Sequence, residues 1–218
     1  MDLTDAQLGR LAIFPLPGAV LFPHATIPLH VFEPRYRALV EDCMLRDAPL
    51  AIWRIDEEAV STPSGPALSR VATAGRIGAH QPMPHGTCDI IVEGLARVVL
   101  ESESDSGEPW RVVRARRHPL EDVDAPQVRP RVDTLRRLGS VLALRHPRAA
   151  RLLQVTIDRC PEPGELSDVI CAITHDDPGL RQELLETSSV PARLDKVIET
   201  LGALMLEEEA EPEDSERM

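Results

Sequence analysis

The segment Ile13–Leu39 constrains the fold more than any other part of the chain. Its sequence, IFPLPGAVLFPHATIPLHVFEPRYRAL, sets five prolines among alternating apolar residues and runs directly into a helical pattern. Proline has no backbone N–H and a fixed φ, so a sheet accepts it only at edges, strand starts or bulges. Gly18 gives the turn freedom between Phe14–Leu16 and Val20–Phe22. The segment therefore predicts a short, bent β-meander with blunted edges, followed by a helix.

The helix that follows is well specified. Glu33 precedes Pro34, an arrangement favoured at the first helical position by the fixed φ of proline and the helix dipole. We expect Arg37 to pair with Glu33 or Glu41 on the solvent side. Apolar residues recur at the spacing of one helix face. They are Tyr36, Leu39, Val40, Cys43 and Met44.

Three blocks of this sequence resemble the N-terminal substrate-binding domain of Lon-type ATP-dependent proteases. The first is the strand–turn–strand–helix segment just described. The second is Gly86–Leu100, GTCDIIVEGLARVVL, which resembles the hairpin of that family around Val92–Leu95, followed by Arg97. The third is Leu184–Leu201, which resembles its closing helix. Since the blocks occur in the family's order, the resemblance extends over roughly residues 10 to 206.

Short strand-like segments separated by loops rich in proline and glycine indicate an antiparallel, partly closed β-fold. The resemblance sharpens this to a PUA-like, mostly antiparallel β-domain with one helix, so the predicted fold class is α+β. The predicted strands are Pro49–Ile55, Arg70–Ala79, Cys88–Val92, Arg97–Ser102 and Trp110–Ala115.

From Pro126 onward the pattern becomes helical. Val128, Val132, Leu135, Leu138 and Leu142 form a helical stripe that a break at His146–Pro147 ends. Further helices are predicted at Pro163–Ile173, after Asp177, and from Ser189 to Met205. We therefore expect a β-domain at 1–122, a helical domain at 123–206 and a disordered acidic tail at 207–218.

Composition is consistent with a cytoplasmic protein, and the resemblance implies a bacterial one. The sequence has no apolar run long enough to span a membrane and no signal-peptide pattern at its start. Its four cysteines form no Cys-x-x-Cys pair, so we expect buried free thiols in a reducing compartment.

Charge is distributed unevenly along the chain. Residues 111–151 contain eleven arginines and four acidic residues, whereas the chain as a whole has a net charge of −12. Intramolecular ion pairs with a solvated helix face are one interpretation of this basic block. A patch for an acidic partner is the other.

Catalytic chemistry is not predicted. Lys196 is the only lysine, and Asp195–Val197 has neither the glycines nor the hydroxyl of a nucleotide-binding loop. The protease domain of the family uses a Ser–Lys pair, but a lysine between Asp195 and Glu199 stays charged. We therefore expect a stand-alone recognition domain without enzymatic activity and without a cofactor. Cys160, Cys171 and His175 lack the spacing of a zinc site, so no metal is expected.

What remains is binding. Met83, Pro84 and Trp110 are apolar for loop positions, so they are candidate contacts with a partner, although edge packing also explains them. Because aromatic residues are scarce, five of them are expected in the core. They are Phe14, Phe22, Phe32, Tyr36 and Trp53.

The leading hypothesis is a non-catalytic module that binds unfolded or damaged polypeptide segments and acts with or against a separate Lon protease. The alternative is RNA binding through the basic block, with Arg114, Arg116 and Arg117 as contacts. The acidic total charge and the absence of aromatic residues among these arginines disfavour nucleic acid. A peptidase is the third hypothesis, and only the family name suggests it.

Overall fold

The computed structural model describes residues 3–62, 65–142, 147–160 and 162–210. The chain divides into two compact units. We call Met1–Pro119 with His175–Ser188 the β unit, and Leu120–Thr174 with Ser189–Met218 the helical unit. The sequence predicts a single boundary near residue 122, and the domain bounds derived from it stay predictions.

The β unit contains the strands and three of the helices found in the described residues. Its elements are α1 (Asp5–Leu8), β1 (Leu11–Leu16), β2 (Thr26–Val31), α2 (Pro34–Arg46), β3 (Leu50–Arg54), β4 (Val71–Pro82), a 3₁₀ turn (Pro84–Gly86), β5 (Cys88–Ser104), β6 (Val112–Arg117) and α6 (Pro178–Glu186).

The described strands form one sheet in the order β2-β5-β4-β3-β1-β6, and β6 also pairs with β5. That second pairing closes β1, β3, β4, β5 and β6 into a ring. Only β1 and β3 run parallel, with Ala12 opposite Leu50. The predicted α+β class with a mostly antiparallel, partly closed β-domain is confirmed.

Strand β5 is one long strand, where the sequence suggested two. Its first part pairs with β2, from Cys88 opposite Val31 to Glu93 opposite Thr26. Its later part pairs with β6, with Val98 opposite Arg117. Because β5 pairs with β6 only along its later part, the ring is closed at that end. It is open at the end where β5 pairs with β2.

The predicted meander is partly wrong. Val20–Phe22 is buried but is not a strand, and the second strand begins only at Thr26. Side chains satisfy the backbone of this buried loop: Thr73 Oγ1 donates to the Leu21 carbonyl at 2.6 Å. Arg181 Nη2 donates to the Val20 carbonyl at 2.9 Å. A buried loop without ladder bonds needs such partners.

Helix α2 begins at Pro34 after Glu33, as predicted. Two expectations for its surroundings are wrong. Met44 is 48 % exposed, although it was expected on the buried face. Arg37 Nη1 donates to the Gly86 carbonyl at 2.7 Å instead of pairing with an acidic neighbour on its own helix.

Four of the five predicted core aromatic residues are buried, whereas Phe32 is 63 % exposed. Phe32 was expected inside because aromatic residues are few. It lies between the end of β2 and the start of α2, where the chain leaves the sheet. The buried four are Phe14, Phe22, Tyr36 and Trp53.

Helix α6 belongs to the β unit through bonds from long polar side chains to backbone carbonyls. Gln182 Nε2 donates to Val71 at 2.8 Å, and Arg97 Nε donates to Leu185 at 3.0 Å. The helix begins after Asp177, as predicted, and Asp177 Oδ1 caps it by accepting from the Leu180 N–H.

The helical unit contains four helices of the described chain: α3 (Val128–Leu142), α4 (Pro147–Arg159), α5 (Pro163–Thr174) and α7 (Val190–Ala210). An ion pair lies at its centre, where Arg193 Nη1 is 2.5 Å from Asp168 Oδ1 and both side chains are buried. Helix α7 continues to Ala210, so residues 207–210 of the predicted disordered tail are helical. Residues 211–218 lie outside the described chain.

Candidate functional site

A cleft of about 590 Å³ opens in the β unit beside β2. We call it the aromatic cleft, because Phe14, Phe32, Tyr36 and Trp110 lie in its wall. The full lining is Phe14–Pro17, Leu29–Glu33, Arg35, Tyr36, Ile55, Gly65, Pro66 and Glu108–Arg111.

The sequence explains why the sheet leaves a gap here. Strands β1 and β6 pair at Leu11 and Ala12, and a further bond joins the Ile13 N–H to the Arg111 carbonyl at 3.0 Å. Beyond that point Pro15 on β1 and Pro109 before β6 have no N–H to donate. The β1–β6 ladder therefore stops, and the cleft occupies the space between this end of β1 and β2.

The floor of the aromatic cleft is a pair of stacked rings. Phe14 and Tyr36 lie with ring centroids 4.3 Å apart and an interplanar angle of 17°. The Arg35 guanidinium lies 4.5 Å from the centroid of the Tyr36 ring, within cation–π range. Burial raises the pKa of Tyr36, and this outweighs the opposing effect of Arg35. The floor is therefore uncharged at neutral pH.

Two further aromatic side chains lie higher in the wall. Phe32 is largely exposed, and Trp110 is half-buried and packs on the core cluster that contains Phe14 and Tyr36. A solvent-exposed phenylalanine beside an apolar floor is typical of a binding surface.

The charged residues of the lining are all paired within the β unit. Arg35 bonds Glu33 at 2.9 Å, and Glu108 bonds Arg10 at 2.8 Å. Arg111 forms an ion pair with Glu103 and donates to the Pro66 carbonyl at 2.8 Å. The aromatic cleft consequently presents an apolar surface whose rim charges are already compensated.

The structure brings only one of the predicted contact residues into the aromatic cleft. Trp110 lies in its wall, whereas half-buried Met83 and exposed Pro84 lie at the turn between β4 and β5, outside the lining. Sequence reasoning missed Phe14, Tyr36 and Phe32 as site residues. These residues are densely spaced around the prolines, and that apolar pattern by itself predicts core positions and not a cleft.

The basic block is divided between the two units. Arg114, Arg116 and Arg117 are exposed on β6, and the Arg117 guanidinium donates to the Leu3 carbonyl. In the helical unit Arg131 binds Asp195 through two bonds of 2.6 and 2.7 Å, and Arg136 bonds Asp133 at 3.0 Å. Part of the block thus forms intramolecular ion pairs, which is the first of the two interpretations of its sequence.

Three of the four thiols are poor nucleophiles. Burial raises the pKa of Cys43 to about 12, and burial likewise raises the pKa of Cys88 and Cys160. All four cysteines are buried, and none of them is in a disulfide. Because the thiolate is the reactive form, Cys43, Cys88 and Cys160 are not activated for attack.

Two features are absent from the described residues. No group of three or more His, Cys, Asp or Glu side chains in that part of the chain is placed to hold a metal ion. Nor does it include a helix with the length and apolar character that crossing a bilayer requires.

Residues 10–202 match the family model of the ATP-dependent protease La (LON) substrate-binding domain. The chain therefore belongs to the Lon substrate-binding domain family. It is 28 % identical over 194 residues to the Lon protease of Paraburkholderia phytofirmans, and 30 % identical over 195 residues to Lon protease 2 of Sorangium cellulosum. These alignments cover 88 % and 87 % of the chain, but only 24 % of each relative.

Solved structures show the same fold. The N-terminal domain of the Mycobacterium avium complex Lon protease matches with a TM-score of 0.70 and 16 % identity, over 88 % of this chain and 98 % of that domain. The Lon N-terminal domain protein from Xanthomonas campestris matches with a TM-score of 0.59 and 21 % identity, over 87 % and 97 % of the two chains. The chain thus spans about a quarter of the length of the curated Lon proteases that it matches.

Proposed function

We propose that this protein binds apolar segments of unfolded polypeptides in the aromatic cleft and does so without catalysis. The observation that carries the proposal is an apolar cleft with a stacked aromatic floor and an exposed phenylalanine, in a domain of the Lon substrate-binding family. Unfolded chains expose the apolar side chains that folded proteins bury, so such a cleft distinguishes the two states.

The absence of catalysis is supported by where the matches lie and by the residues present. The family match covers a substrate-binding domain. Lys196 Nζ forms an exposed ion pair with Glu199 at 3.1 Å, whereas a lysine that activates a serine is buried away from charged partners. Incubation with casein, with and without ATP, should give no cleavage.

A titration tests the binding function directly. Fluorescence anisotropy would measure the affinity for a reduced and alkylated, permanently unfolded protein and for its native form. We expect binding of the unfolded form alone. Phe32→Ser should weaken that binding about tenfold, because an exposed aromatic side chain at the centre of an interface is a common hot spot.

The control for this variant is Leu45→Ser. Leu45 is 87 % exposed on α2 but does not line the aromatic cleft, so its change removes an exposed apolar side chain elsewhere. We expect its affinity to stay within about twofold of the unaltered protein. Equal losses in the two variants would contradict binding in the cleft.

We further propose that the partner in the cell is a full-length Lon protease in the bacterial cytoplasm, to which this domain delivers or from which it withholds substrates. The support is the family itself. Adding the purified domain to a Lon degradation assay should change the rate of substrate loss. An unchanged rate over a wide range of domain concentration would contradict this partnership.

RNA binding is the second candidate function, and the exposed arginines of β6 are the observation that favours it. The RNA-contact model requires affinity that falls steeply as salt rises, because bound phosphates release counterions. A triple change of Arg114, Arg116 and Arg117 to Gln should then abolish binding. No measurable affinity at low salt would eliminate this candidate.

A further inference from the structure

We propose that the aromatic cleft takes its polypeptide as an added β-strand, hydrogen-bonded to the outer edge of β2. The inference rests on the proposed function and specifies the form of the guest. That guest is an uncharged, extended segment with apolar side chains at alternate positions.

The phase of the β2–β5 ladder determines which peptide groups are free. The Gly94 N–H donates to the Ala25 carbonyl at 2.9 Å, and the next pair is Thr26 opposite Glu93. In an antiparallel pair, hydrogen-bonded and non-hydrogen-bonded positions alternate. The backbone N–H and C=O groups that point toward β5 are therefore those of Ile27, Leu29 and Val31. The groups that point away from β5 belong to Thr26, Pro28 and His30; Pro28 contributes only its C=O.

Pro28 fits this assignment independently. A proline within a sheet is tolerated where its missing N–H would point away from the neighbouring strand. The outer edge thus offers two donors, the N–H groups of Thr26 and His30, and three carbonyl acceptors. Within the described part of the chain, β2 pairs with β5 alone and no hydrogen bond engages these outer backbone groups.

The aromatic cleft lies on this same side of β2. Its lining includes Leu29–Phe32 of β2 and its end, and Phe14–Pro17 opposite, but no residue of β5. A strand laid along β2 would therefore enter the cleft, with every second side chain directed toward the Phe14–Tyr36 floor.

The charges of the cleft define the chemistry of the guest. Arg35, Glu108 and Arg111 already have partners, so a charged guest side chain would lose water without gaining a counter-ion. An uncharged guest incurs no such cost. A second copy of this chain is the other possible occupant, and the experiments below separate the two.

Backbone methylation of the guest tests the pairing. The probe is a fluorescein-labelled peptide of about eight residues, alternating Val or Phe with Thr, in three forms. One form is unmodified, one carries N-methyl groups at odd positions, and one carries them at even positions. Both modified forms lose the same number of N–H donors, but only one parity faces β2.

We expect one methylated form to bind about tenfold more weakly than the unmodified peptide, and the other to stay within about threefold. Equal losses, no loss, or no binding of the unmodified peptide would overturn strand addition. The unfolded protein of the preceding section is titrated in parallel. If it still binds in those cases, the proposed function survives and only the strand inference fails.

Amide hydrogen exchange gives a readout on the protein itself. The His30 amide should exchange at least about tenfold more slowly with the peptide bound, because it gains an acceptor. The amides of Leu29 and Val31 already face β5 and should not change. Protection of all three alike, or of none, would contradict the pairing.

A matched pair of variants isolates the edge N–H. His30→Pro removes this donor. His30→Ala keeps the donor but removes the imidazole, with its 2.6 Å contact to Asp89 and its ring contact with Phe32; His30→Pro loses the same side chain. Both variants lose the imidazole, so we expect His30→Pro to bind the peptide about tenfold more weakly than His30→Ala, because only the proline lacks the N–H donor. Equal affinities of the two variants would contradict the pairing. If His30→Pro fails to fold, the N-methylated peptides and amide hydrogen exchange still test strand addition. A dimer that the peptide cannot dissociate would favour a second copy as the occupant.

Discussion

The ion pairs around the aromatic cleft differ in burial from the central ion pair of the helical unit. Around the aromatic cleft of the β unit, the ion pairs of Arg35, Arg10 and Arg111 lie at the rim, and the floor is apolar. The helical unit instead buries Arg193 and Asp168 completely, where the pair joins α7 to α5. The ion pairs around the cleft therefore border a surface that a partner can cover, whereas the Arg193–Asp168 pair is part of the packing of the helical unit.

The largest effect that tests this comparison is expected at Asp168. Asp168→Ala leaves the Arg193 guanidinium buried without its carboxylate, so the free energy of unfolding should fall by about 3–5 kcal/mol. Urea unfolding followed by far-UV circular dichroism measures the change. The control is Asp133→Ala, which removes the exposed pair with Arg136 and should cost less than about 0.5 kcal/mol. Similar losses of unfolding free energy in the two variants would show that burial does not increase the cost of breaking the Arg193–Asp168 pair.

In the β unit the substitution expected to destabilise most is one that adds a side chain where there is no space. A Cβ at Gly94 would lie 2.2 Å from the Phe22 carbonyl oxygen, so the buried loop must move before the sheet can accept a side chain. Gly94→Ala should therefore destabilise the protein by about 3 kcal/mol. Unfolding followed by the fluorescence of buried Trp53 reports on this unit. An unchanged midpoint would mean that the loop moves at no cost.

Alkaline pH should weaken the β unit through Cys43. Burial raises the pKa of the Cys43 thiol from 9.0 to about 12. The contribution of the buried thiol to the free energy of unfolding is therefore fully present below pH 9 and is lost as pH rises toward 12. At pH 10.5 the loss should be about 2 kcal/mol. The measurement is urea unfolding at pH 7, 9 and 10.5. Cys43→Ala should show a shallower pH dependence, and an identical slope would exclude Cys43 as the cause.

The smallest expected effect is a gain in the helical unit. A Cβ at Gly202 on α7 would meet no atom within 4 Å. Gly202→Ala should therefore stabilise the helix by about 0.5–1 kcal/mol, since alanine loses less backbone freedom than glycine. Thermal unfolding measures this change beside that of Gly94→Ala, the same substitution with the opposite expected effect on stability. If Gly202→Ala were destabilised, the added methyl group would have to clash with a neighbour, which contradicts the open space at this position.

Sequence patterns predicted the elements that local chemistry determines. Pro34 after Glu33 placed the start of α2, and Asp177 placed the start of α6, because caps and fixed φ angles act over a few residues. The same patterns could not assign Phe32 or Val20–Phe22. Apolar character predicts burial, but it does not state whether a buried segment pairs in a sheet or whether a particular ring faces the core.

The aromatic cleft was only partly predictable for the same reason. Trp110 was recognised because an aromatic residue after Glu108–Pro109 is unusual in a loop. Phe14 and Tyr36 were assigned to the core, and they are indeed buried, yet they also form the floor of the cleft. A residue can serve both roles only where the chain leaves a gap above it, and that gap depends on long-range strand pairing.

By itself the sequence determined the family, the α+β class and the positions where proline forbids a ladder bond, because each depends on residue identity and short spacing. Tertiary structure alone decided that the ring of strands closes at one end and stays open beside β2. It also decided that Arg193 meets Asp168 across helices. Both outcomes join residues far apart in the chain, and no local pattern encodes which distant partner fills a given space.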